Sequence, residues 1–388
     1  MQTRTIVFTI LSLVVSGLAH AMLGIWLFDA FPRLRSRKRA IVIALAAIVF
    51  VPTLLRLVTI ATHSQIAASL FAAIMCESIV VLFSAAPLVI VRAGARGVEL
   101  ATRSRKEAAP DELTRRQVIE RVGGLAVVGT TASLVGWGAA IGRYEFGVSE
   151  VPVRIPGLPR ALDGYTIAQI SDIHIGMLVG ERDIARGLDM LAETKSDLVV
   201  LTGDIVDFDP RFIPEAARIF SRLRARDGVY AIYGNHDHYT GARQVGDALR
   251  KVGIDVLVND GRVIRPNDGG GFALLGVDDL AGRRIGMGPR LDLAERAVPN
   301  GRPRILLSHQ PQTVDFWAGR VALQLSGHTH GGQFNPGFRP ADFVMRYVAG
   351  RYDVGATTLW VNRGFGVVGP PARVGAPPEV TKIVLVAA

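Results

Sequence analysis

The stretch YTIAQISDIH (Tyr165–His174) gives the clearest indication of the fold of this 388-residue sequence. A short apolar run that ends in a carboxylate and an imidazole is typical of a buried strand leading into a functional loop. A second run of this kind, DLVVLTGD (Asp197–Asp204), follows after an amphipathic segment. Strand, helix and strand in succession predict an α/β domain.

The same alternation continues outward from these two runs. Buried strands are predicted at 165–170, 197–201, 229–233, 272–277, 305–307 and 321–325, with closing strands at 357–361 and 380–386. Amphipathic helices are predicted at 182–194, 211–226, 241–252 and 290–298. The helix at 211–226 is predicted from apolar residues that recur at helical spacing.

Polar residues directly follow five of the predicted strands. They form the motifs Ser171-Asp172-Ile173-His174, Gly203-Asp204, Gly234-Asn235-His236-Asp237, Ser308-His309 and Gly327-His328-Thr329-His330. Ligand sites of α/β folds gather at the carboxyl ends of strands, so one common site is expected. In D-x-H and H-x-H, residues i and i+2 point the same way if the chain is extended.

Carboxylate, imidazole and amide oxygen together suit Mn, Fe or Zn. Because Cys76 is the single cysteine, an intrachain disulfide is excluded. The motifs contain no cysteine, which argues against a structural zinc site. Taken singly, several of these residues could instead be helix caps or plain turns. Asp207, Asp278 and Asp279 either line the pocket or are solvated loop acids.

The order D-x-H, G-D, G-N-H-D, S-H and G-H-T-H resembles that of the calcineurin-like metallophosphoesterases, over roughly residues 165–335. The resemblance implies a four-layer α/β/β/α sandwich and two divalent metal ions. The implied ligands are Asp172, His174, Asp204, Asn235, His309, His328 and His330, with Asp204 bridging the ions. His236 would act as general acid or charge stabiliser, and Asp237 would orient its ring.

The amino-terminal third of the sequence is apolar. Stretches at 5–28, 40–61, 66–91 and 122–141 each approach the ~20 residues that a helix needs to cross a bilayer. We therefore predict that residues 1–142 form a membrane domain, a bundle of about four transmembrane helices. Residues 143–388 would form the catalytic domain.

The positive charge of the chain also belongs to its amino-terminal part. Of the formal net charge of +10, residues 1–142 carry +8, which argues against nucleic acid as the main partner. Basic clusters at 33–39 and 92–121 predict cytoplasmic loops, and hence a catalytic domain outside a bacterial cytoplasmic membrane. Arg115-Arg116 either belongs to an internal twin-arginine-like export signal or simply ends a basic loop.

The tail motifs Asn362-Arg363-Gly364-Phe365-Gly366 and Gly375-Ala376-Pro377-Pro378-Glu379 resemble the bacterial membrane-anchored branch of the superfamily. That branch includes proteins similar to UDP-2,3-diacylglucosamine pyrophosphate hydrolases, which implies a lipid-linked or envelope phosphoester as substrate. Such a UDP-linked precursor is cytoplasmic, which conflicts with the predicted topology. The alternatives are a general exported phosphatase or nucleotide phosphodiesterase, and a non-catalytic membrane scaffold. Arg363 either binds a substrate phosphate or forms a structural salt bridge, and the sequence leaves the oligomeric state open.

Overall fold

The computed structural model describes residues 2–62, 64–101 and 113–388. The chain divides into two compact units, Met1–Ala139 and Ala140–Ala388.

The first unit consists of long apolar helices. They are α1 (Gln2–Ala30), α2 (Lys38–Thr62), α3 (Gln65–Ala101) and α4 (Arg115–Ala140). In the part of the chain that the structure describes, four helical segments are long and apolar enough to cross a membrane. Their side chains are apolar on nearly all faces, which is the composition expected of helices that face lipid.

A network of charged groups connects three of these helices. Asp29 of α1 accepts a hydrogen bond from Arg92 of α3 at 2.7 Å, and Arg116 of α4 lies 3.5 Å from the same oxygen. Arg116 also pairs at 3.0 Å with Glu120, which is fully buried. The indole of Trp26 donates to the backbone carbonyl of Glu120 at 2.8 Å. Pairing of this kind offsets the cost of placing charge among apolar helices.

The second unit alternates strands with short helices. Its strands are β1 (Gly147–Ile155), β2 (Thr166–Ile170), β3 (Leu198–Thr202), β4 (Val229–Ile232), β5 (Asp255–Val256), β6 (Asp260–Ile264), β7 (Phe272–Gly276), β8 (Arg304–Leu307), β9 (Leu323–Ser326), β10 (Gly350–Val354), β11 (Thr357–Val361) and β12 (Glu379–Ala387). Its helices are α5 (Glu181–Glu193), α6 (Ile213–Phe220), α7 (Asn235–Thr240), α8 (Ala242–Lys251), α9 (Leu291–Arg296) and α10 (Val314–Trp317).

The strands form two six-stranded sheets. One has the order β1-β12-β2-β3-β4-β5, and the other has the order β10-β11-β9-β8-β7-β6. Strands β2 to β5 are parallel, as are β7, β8, β9 and β11. The carboxyl ends of the parallel strands therefore lie at one edge of each sheet, where their loops can meet.

Alternation along the strands divides the core. On β3, Leu198 and Val200 belong to a cluster that also contains Leu274 and Leu307 of the other sheet. Val199, on the opposite face, belongs to a cluster built with helices α5, α6 and α8. Successive side chains of a strand point to opposite faces, so β3 buries an apolar residue on both of its faces.

The fold agrees with the mixed α/β class predicted from the sequence, with differences at element ends. The helix predicted at 211–226 is shorter, since α6 ends at Phe220 and the following residues form turns. The residues Asn235-His236-Asp237 of the GNHD motif begin the short helix α7, which was not among the predicted helices. Strands β1, β5, β6 and β10 were not predicted, because each carries polar residues and all four lie at a sheet edge.

Candidate metal centre

The predicted ligands converge at the carboxyl ends of strands from both sheets. Loops after β2, β3 and β4 supply residues from one sheet, and loops after β8 and β9 supply residues from the other. The predicted ligands fall into two of the three candidate metal-binding groups among the described residues, Asp172 with His174 and His330, and Asp204 with His309 and His328. The third group joins His174 to Asp207 and His236. In each group the ligand atoms lie within 4.8 Å of one another.

The first group is buried and presents its nitrogens to one point. His174 Nε2 lies 3.1 Å from His330 Nε2, which in turn lies 3.6 Å from Asp172 Oδ1. Burial and the neighbouring His174 and Arg373 hold the pKa of His330 well below its usual range. A neutral imidazole of this kind offers a lone pair to a cation.

The second group includes the amide of Asn235. Asn235 Oδ1 lies 3.3 Å from His309 Nε2, and His328 Nδ1 lies 3.3 Å from the same nitrogen. His309 Nδ1 donates to the backbone carbonyl of Thr202 at 2.8 Å, which turns Nε2 toward the cluster.

Asp204 lies between the two groups. Its Oδ2 is 3.7 Å from His174 Nε2 and 3.2 Å from His309 Nε2. Burial opposes its negative charge, but the nearby imidazoles of His309 and His174 hold the pKa of Asp204 well below its usual range. A carboxylate in this position can interact with cations on both sides.

The donor set fits divalent cations. Two atoms bound to one ion at about 2.1 Å, with angles of about 90–110°, lie about 3.0–3.4 Å apart. The nitrogen and oxygen separations of 3.1, 3.3 and 3.3 Å fall in that range. Lone pairs of neutral imidazoles and carboxylates would repel one another at these distances without a shared proton or cation.

An unusual backbone produces this convergence. The left-handed conformation occurs at Asp172 (φ 53°), His174 (φ 56°), Asp204 (φ 54°), His328 (φ 76°) and His330 (φ 51°). The D-x-H and H-x-H segments are therefore not extended, because the chain turns at both ends of each. Such conformations cost about 1–3 kcal/mol each and cluster at functional sites.

Two motif glycines allow the loops to approach closely. A Cβ on Gly234 would lie 2.1 Å from Asp204 Oδ1, and one on Gly327 would lie 1.9 Å from Ser171 Oγ. Any larger residue at either position would displace a predicted ligand or its neighbour.

His236 lies beside the metal centre, and its carboxylate partner differs from the expected one. His236 Nδ1 is 2.7 Å from Asp207 Oδ1, and His174 Nδ1 is 3.5 Å from the same oxygen. Burial acts to raise the pKa of Asp207, but its interactions with these two histidines lower the pKa to about 2.

Asp237 does not contact the His236 ring, so the predicted orienting role was wrong. As the third residue of α7, Asp237 turns back and accepts hydrogen bonds from the amides of Gly234, Ile205 and Val206 at 2.9–3.2 Å. Burial and the charge of Asp204 raise the pKa of Asp237 to about 6. Its carboxylate holds the Asp204 loop against the amino end of α7.

Two further acids are buried rather than solvated. Asp278 Oδ1 lies 2.7 Å from His238 Nε2, and Asp279 accepts two hydrogen bonds of 3.0 Å from Gln310. Gln310 adjoins His309, so this pair links the loop after β7 to the site. In the sequence, only the position of Asp278 and Asp279 after a predicted strand indicated that they line the site.

Arg373 has no counterpart in the sequence motifs. Its guanidinium is buried and donates to the backbone carbonyls of Gly366, Arg363 and Ala376, and Nη2 lies 3.2 Å from His330 Nδ1. Arg363 itself pairs with the buried Glu379 at 3.3 Å, which favours a structural role for that arginine.

The comparisons with known proteins place the chain in a phosphoesterase family. The profile of the calcineurin-like phosphoesterase family matches residues 165–332. A Danio rerio protein, transmembrane protein with metallophosphoesterase domain, is 32% identical over 294 residues, or 73% of this chain and 66% of its own length. The uncharacterized metallophosphoesterase YkuE of Bacillus subtilis is 32% identical over 288 residues, or 71% of this chain and 98% of its own length.

Among solved structures, TT1561 of Thermus thermophilus matches with a TM-score of 0.33 and 14% identity, over 52% of this chain and 89% of that one. Fold, buried donor set and family profile define a metal-dependent phosphoesterase. The chain belongs to the calcineurin-like metallophosphoesterase superfamily.

Proposed function

We propose that this protein is a membrane-anchored phosphoesterase with two metal ions, which hydrolyses a phosphoester or pyrophosphate bond of a lipid-linked or envelope substrate. The observation that carries the proposal is the pair of ligand groups, buried except for the half-buried His328, with Asp204 close to imidazoles of both. The proposed catalytic domain is residues 143–388, a four-layer α/β/β/α sandwich, and the proposed membrane domain is residues 1–142.

The proposed metal ligands divide between two ions. Asp172, His174 and His330 would hold one ion, and Asn235, His309 and His328 would hold the other, with Asp204 shared. Mn, Fe and Zn all suit these donors. A pair of such cations supplies charge stabilisation to a phosphate and a water that ionises near neutral pH.

His236 is the proposed general acid. Because Nδ1 faces Asp207, the free nitrogen for substrate is Nε2. Protonated at both nitrogens, the ring can give the Nε2 proton to the oxygen of the leaving group while Asp207 stabilises the cation. Asp207 takes the orienting role, and Asp237 contributes by fixing the backbone of the Asp204 loop.

The substrate class follows from the membrane segments and the loop charges. Basic loops support a cytoplasmic position for 33–39 and 92–121, and hence a catalytic domain on the outer side of a bacterial cytoplasmic membrane. An outer-leaflet phospholipid, cell-wall or glycolipid phosphoester fits that side better than UDP-2,3-diacylglucosamine. The second candidate is a general exported phosphatase or nucleotide phosphodiesterase, as the sequence already allowed.

Hydrolysis of bis-p-nitrophenyl phosphate by the purified full chain with Mn tests the chemistry. Asp204→Ala should lose bound metal and activity, whereas His236→Ala should keep metal and lose rate. Wild-type protein that binds no metal, or full activity in both variants, would exclude the mechanism. Comparison of lipid and nucleotide-sugar substrates, with reporter fusions that fix the side of the domain, separates the two candidate substrates.

A further inference from the structure

Two loops near the metal centre expose large apolar side chains. In the loop 283–287, Ile285 is 68% exposed and Met287 is 49% exposed. In the loop 338–346, Phe343 is 82% exposed and Val344 is 84% exposed. We call these loops, together with Phe316 between them, the apolar rim. Contiguous exposed apolar residues of this kind mark interaction surfaces.

Contacts through α10 make the rim continuous. The Arg283 guanidinium lies 5.6 Å from the centroid of the Phe316 ring. The adjacent residue, Asp315, lies 3.3 Å from Arg346 and accepts a hydrogen bond of 2.8 Å from Tyr347. Both loops are therefore joined to the same short helix, α10.

Both loops are ordered by interactions beneath them. Residues 340–343 form a helical turn, and the amide of Met345 donates to Ala341 at 2.8 Å. A Cβ on Gly332 would lie 3.2 Å from Ala341, so this loop packs against the chain two residues after His330. The surface is thus tied to a metal-ligand motif.

The other loop is tied to the opposite side of the site. Asp278 accepts a hydrogen bond of 2.9 Å from the amide of Gly288 and lies 2.7 Å from His238, two residues after His236. The Arg284 guanidinium lies 5.7 Å from the Tyr239 ring centroid. Each loop of the rim is therefore tied to a segment that directly follows a motif of the site.

Positively charged side chains lie next to the exposed apolar residues of the loop 283–287. Arg283 and Arg284 directly precede Ile285 and are exposed. Within residues 2–62, 64–101 and 113–388, neither guanidinium forms an ion pair with a carboxylate, and each lies over an aromatic ring. Arginines beside exposed aliphatic and aromatic residues match a surface of anionic headgroups above acyl chains.

We propose that the apolar rim docks on an anionic lipid bilayer and brings the metal centre to phosphoesters at that surface. The same chain carries four helices able to cross a membrane, and only residues 141–146 separate α4 from β1. So short a link keeps the local concentration of lipid around the catalytic unit high. The inference deepens the proposed function and rests on it, since a bilayer is where a lipid-linked phosphoester is presented.

Depth-dependent quenching in proteoliposomes tests the docking. In the full chain with Cys76→Ala, a single cysteine replaces Ile285 or Phe343 and carries an environment-sensitive fluorophore. The vesicles contain phosphatidylcholine, phosphatidylglycerol and a lipid brominated on its acyl chains. Arg243→Cys is the matched control, because its side chain is 95% exposed and lies outside the rim on α8.

We expect the labels at 285 and 343 to lose about half or more of their emission, since docked apolar residues lie roughly 5–10 Å into the interface. The label at 243 should lose little. Arg283→Glu with Arg284→Glu should reduce quenching at 285 with phosphatidylglycerol present, and should change it less in phosphatidylcholine alone. Equal quenching at all three positions, or no quenching at 285 and 343, would overturn the proposal.

The same labelled proteins are assayed with bis-p-nitrophenyl phosphate. Quenching at 285 and 343 without hydrolysis would retain the docking surface and reject the proposed function. Hydrolysis without quenching would retain the function and reject the docking surface.

Discussion

The carboxylate of Asp207 lies where it can hold the proposed acid in place. Asp207→Asn removes the negative charge beside His236 Nδ1 but keeps an oxygen that can accept a hydrogen bond from that nitrogen. We expect kcat for bis-p-nitrophenyl phosphate to fall about 10–100-fold, as is usual when the partner of a functional histidine is replaced. Metal content, measured by mass spectrometry, should fall less than in Asp204→Ala, because Asp207 only supports the predicted ligand His174, from whose Nδ1 it lies 3.5 Å.

Asp247→Asn, at a half-exposed carboxylate on α8, is the control for loss of a charge. Its kcat should equal that of the wild type. An Asp207→Asn variant with unchanged kcat would show that the His236 ring needs no anionic partner.

Gly234 permits the contact between α7 and the Asp204 loop. In Gly234→Ala the new methyl would lie 2.1 Å from Asp204 Oδ1, so the carboxylate must move. We expect loss of bound metal and activity, with about 1–3 kcal/mol of destabilisation from overpacking. Metal analysis and thermal unfolding measure the two effects.

Gly147→Ala is the matched substitution, because a Cβ there meets no atom within 4 Å. It should retain metal and activity. If Gly234→Ala also retained full metal content, the position of Asp204 would not depend on this close approach.

Among the secondary-structure elements, helices α1 and α4 are joined by an ion pair of Arg116. It joins α4 to Asp29 of α1, and it lies 3.0 Å from the buried Glu120. Arg116→Gln would leave the Glu120 carboxylate unpaired, so we expect about 1–3 kcal/mol of destabilisation in detergent. Thermal unfolding of the full chain measures this loss.

The adjacent Arg115 is exposed and serves as the control, so Arg115→Gln should leave stability unchanged. The two variants also distinguish the interpretations of the Arg115-Arg116 pair. A twin-arginine-like signal would require both residues for export, whereas a role in helix packing requires only Arg116.

The strands that deliver the site could be predicted from the sequence, because β2, β3 and β4 are short apolar runs that end in polar motifs. Their alternation and bounding residues are local properties. The edge strand β10 could not be predicted, since its residues alternate between half-buried and exposed and depend on pairing with β11.

The candidate site was predictable where motifs name the ligands, and not where contacts are distant in sequence. Arg373 lies 43 residues from His330 along the chain, and nothing in its local sequence indicates the carbonyls that it binds. Asp237 ends one motif and Asp207 lies shortly after another, so spacing alone could not show which one faces His236. The left-handed backbone at the ligands also depends on tertiary contacts, such as that between His328 N and Asp172 at 2.9 Å.

At the scale of the whole molecule, the two units should respond differently to loss of metal. A ligand that binds only the folded state adds about 2.7 kcal/mol at 100-fold excess over its Kd. For a unit of this size that corresponds to a fall in Tm of about 5–10 °C on chelation. Only the transition of the catalytic unit should move.

Calorimetry of the full chain in detergent, with and without a chelator, measures this difference. Readdition of Mn should restore the original transition. A chelator that shifted both transitions equally, or neither, would contradict a metal centre confined to the second unit.

Strand β12 pairs with β1 on one side and with β2 on the other, although more than two hundred residues separate its register partners on β1. A ribosome that adds about 5–20 residues per second needs roughly 10–50 s between these partners. During that interval β1 and the edge of β2 have no neighbour to cover them. The second unit therefore completes its first sheet only after β12 has been synthesised, long after the apolar helices have left the ribosome. In the interval before that, the unfinished chain is most exposed to proteases and to mispairing.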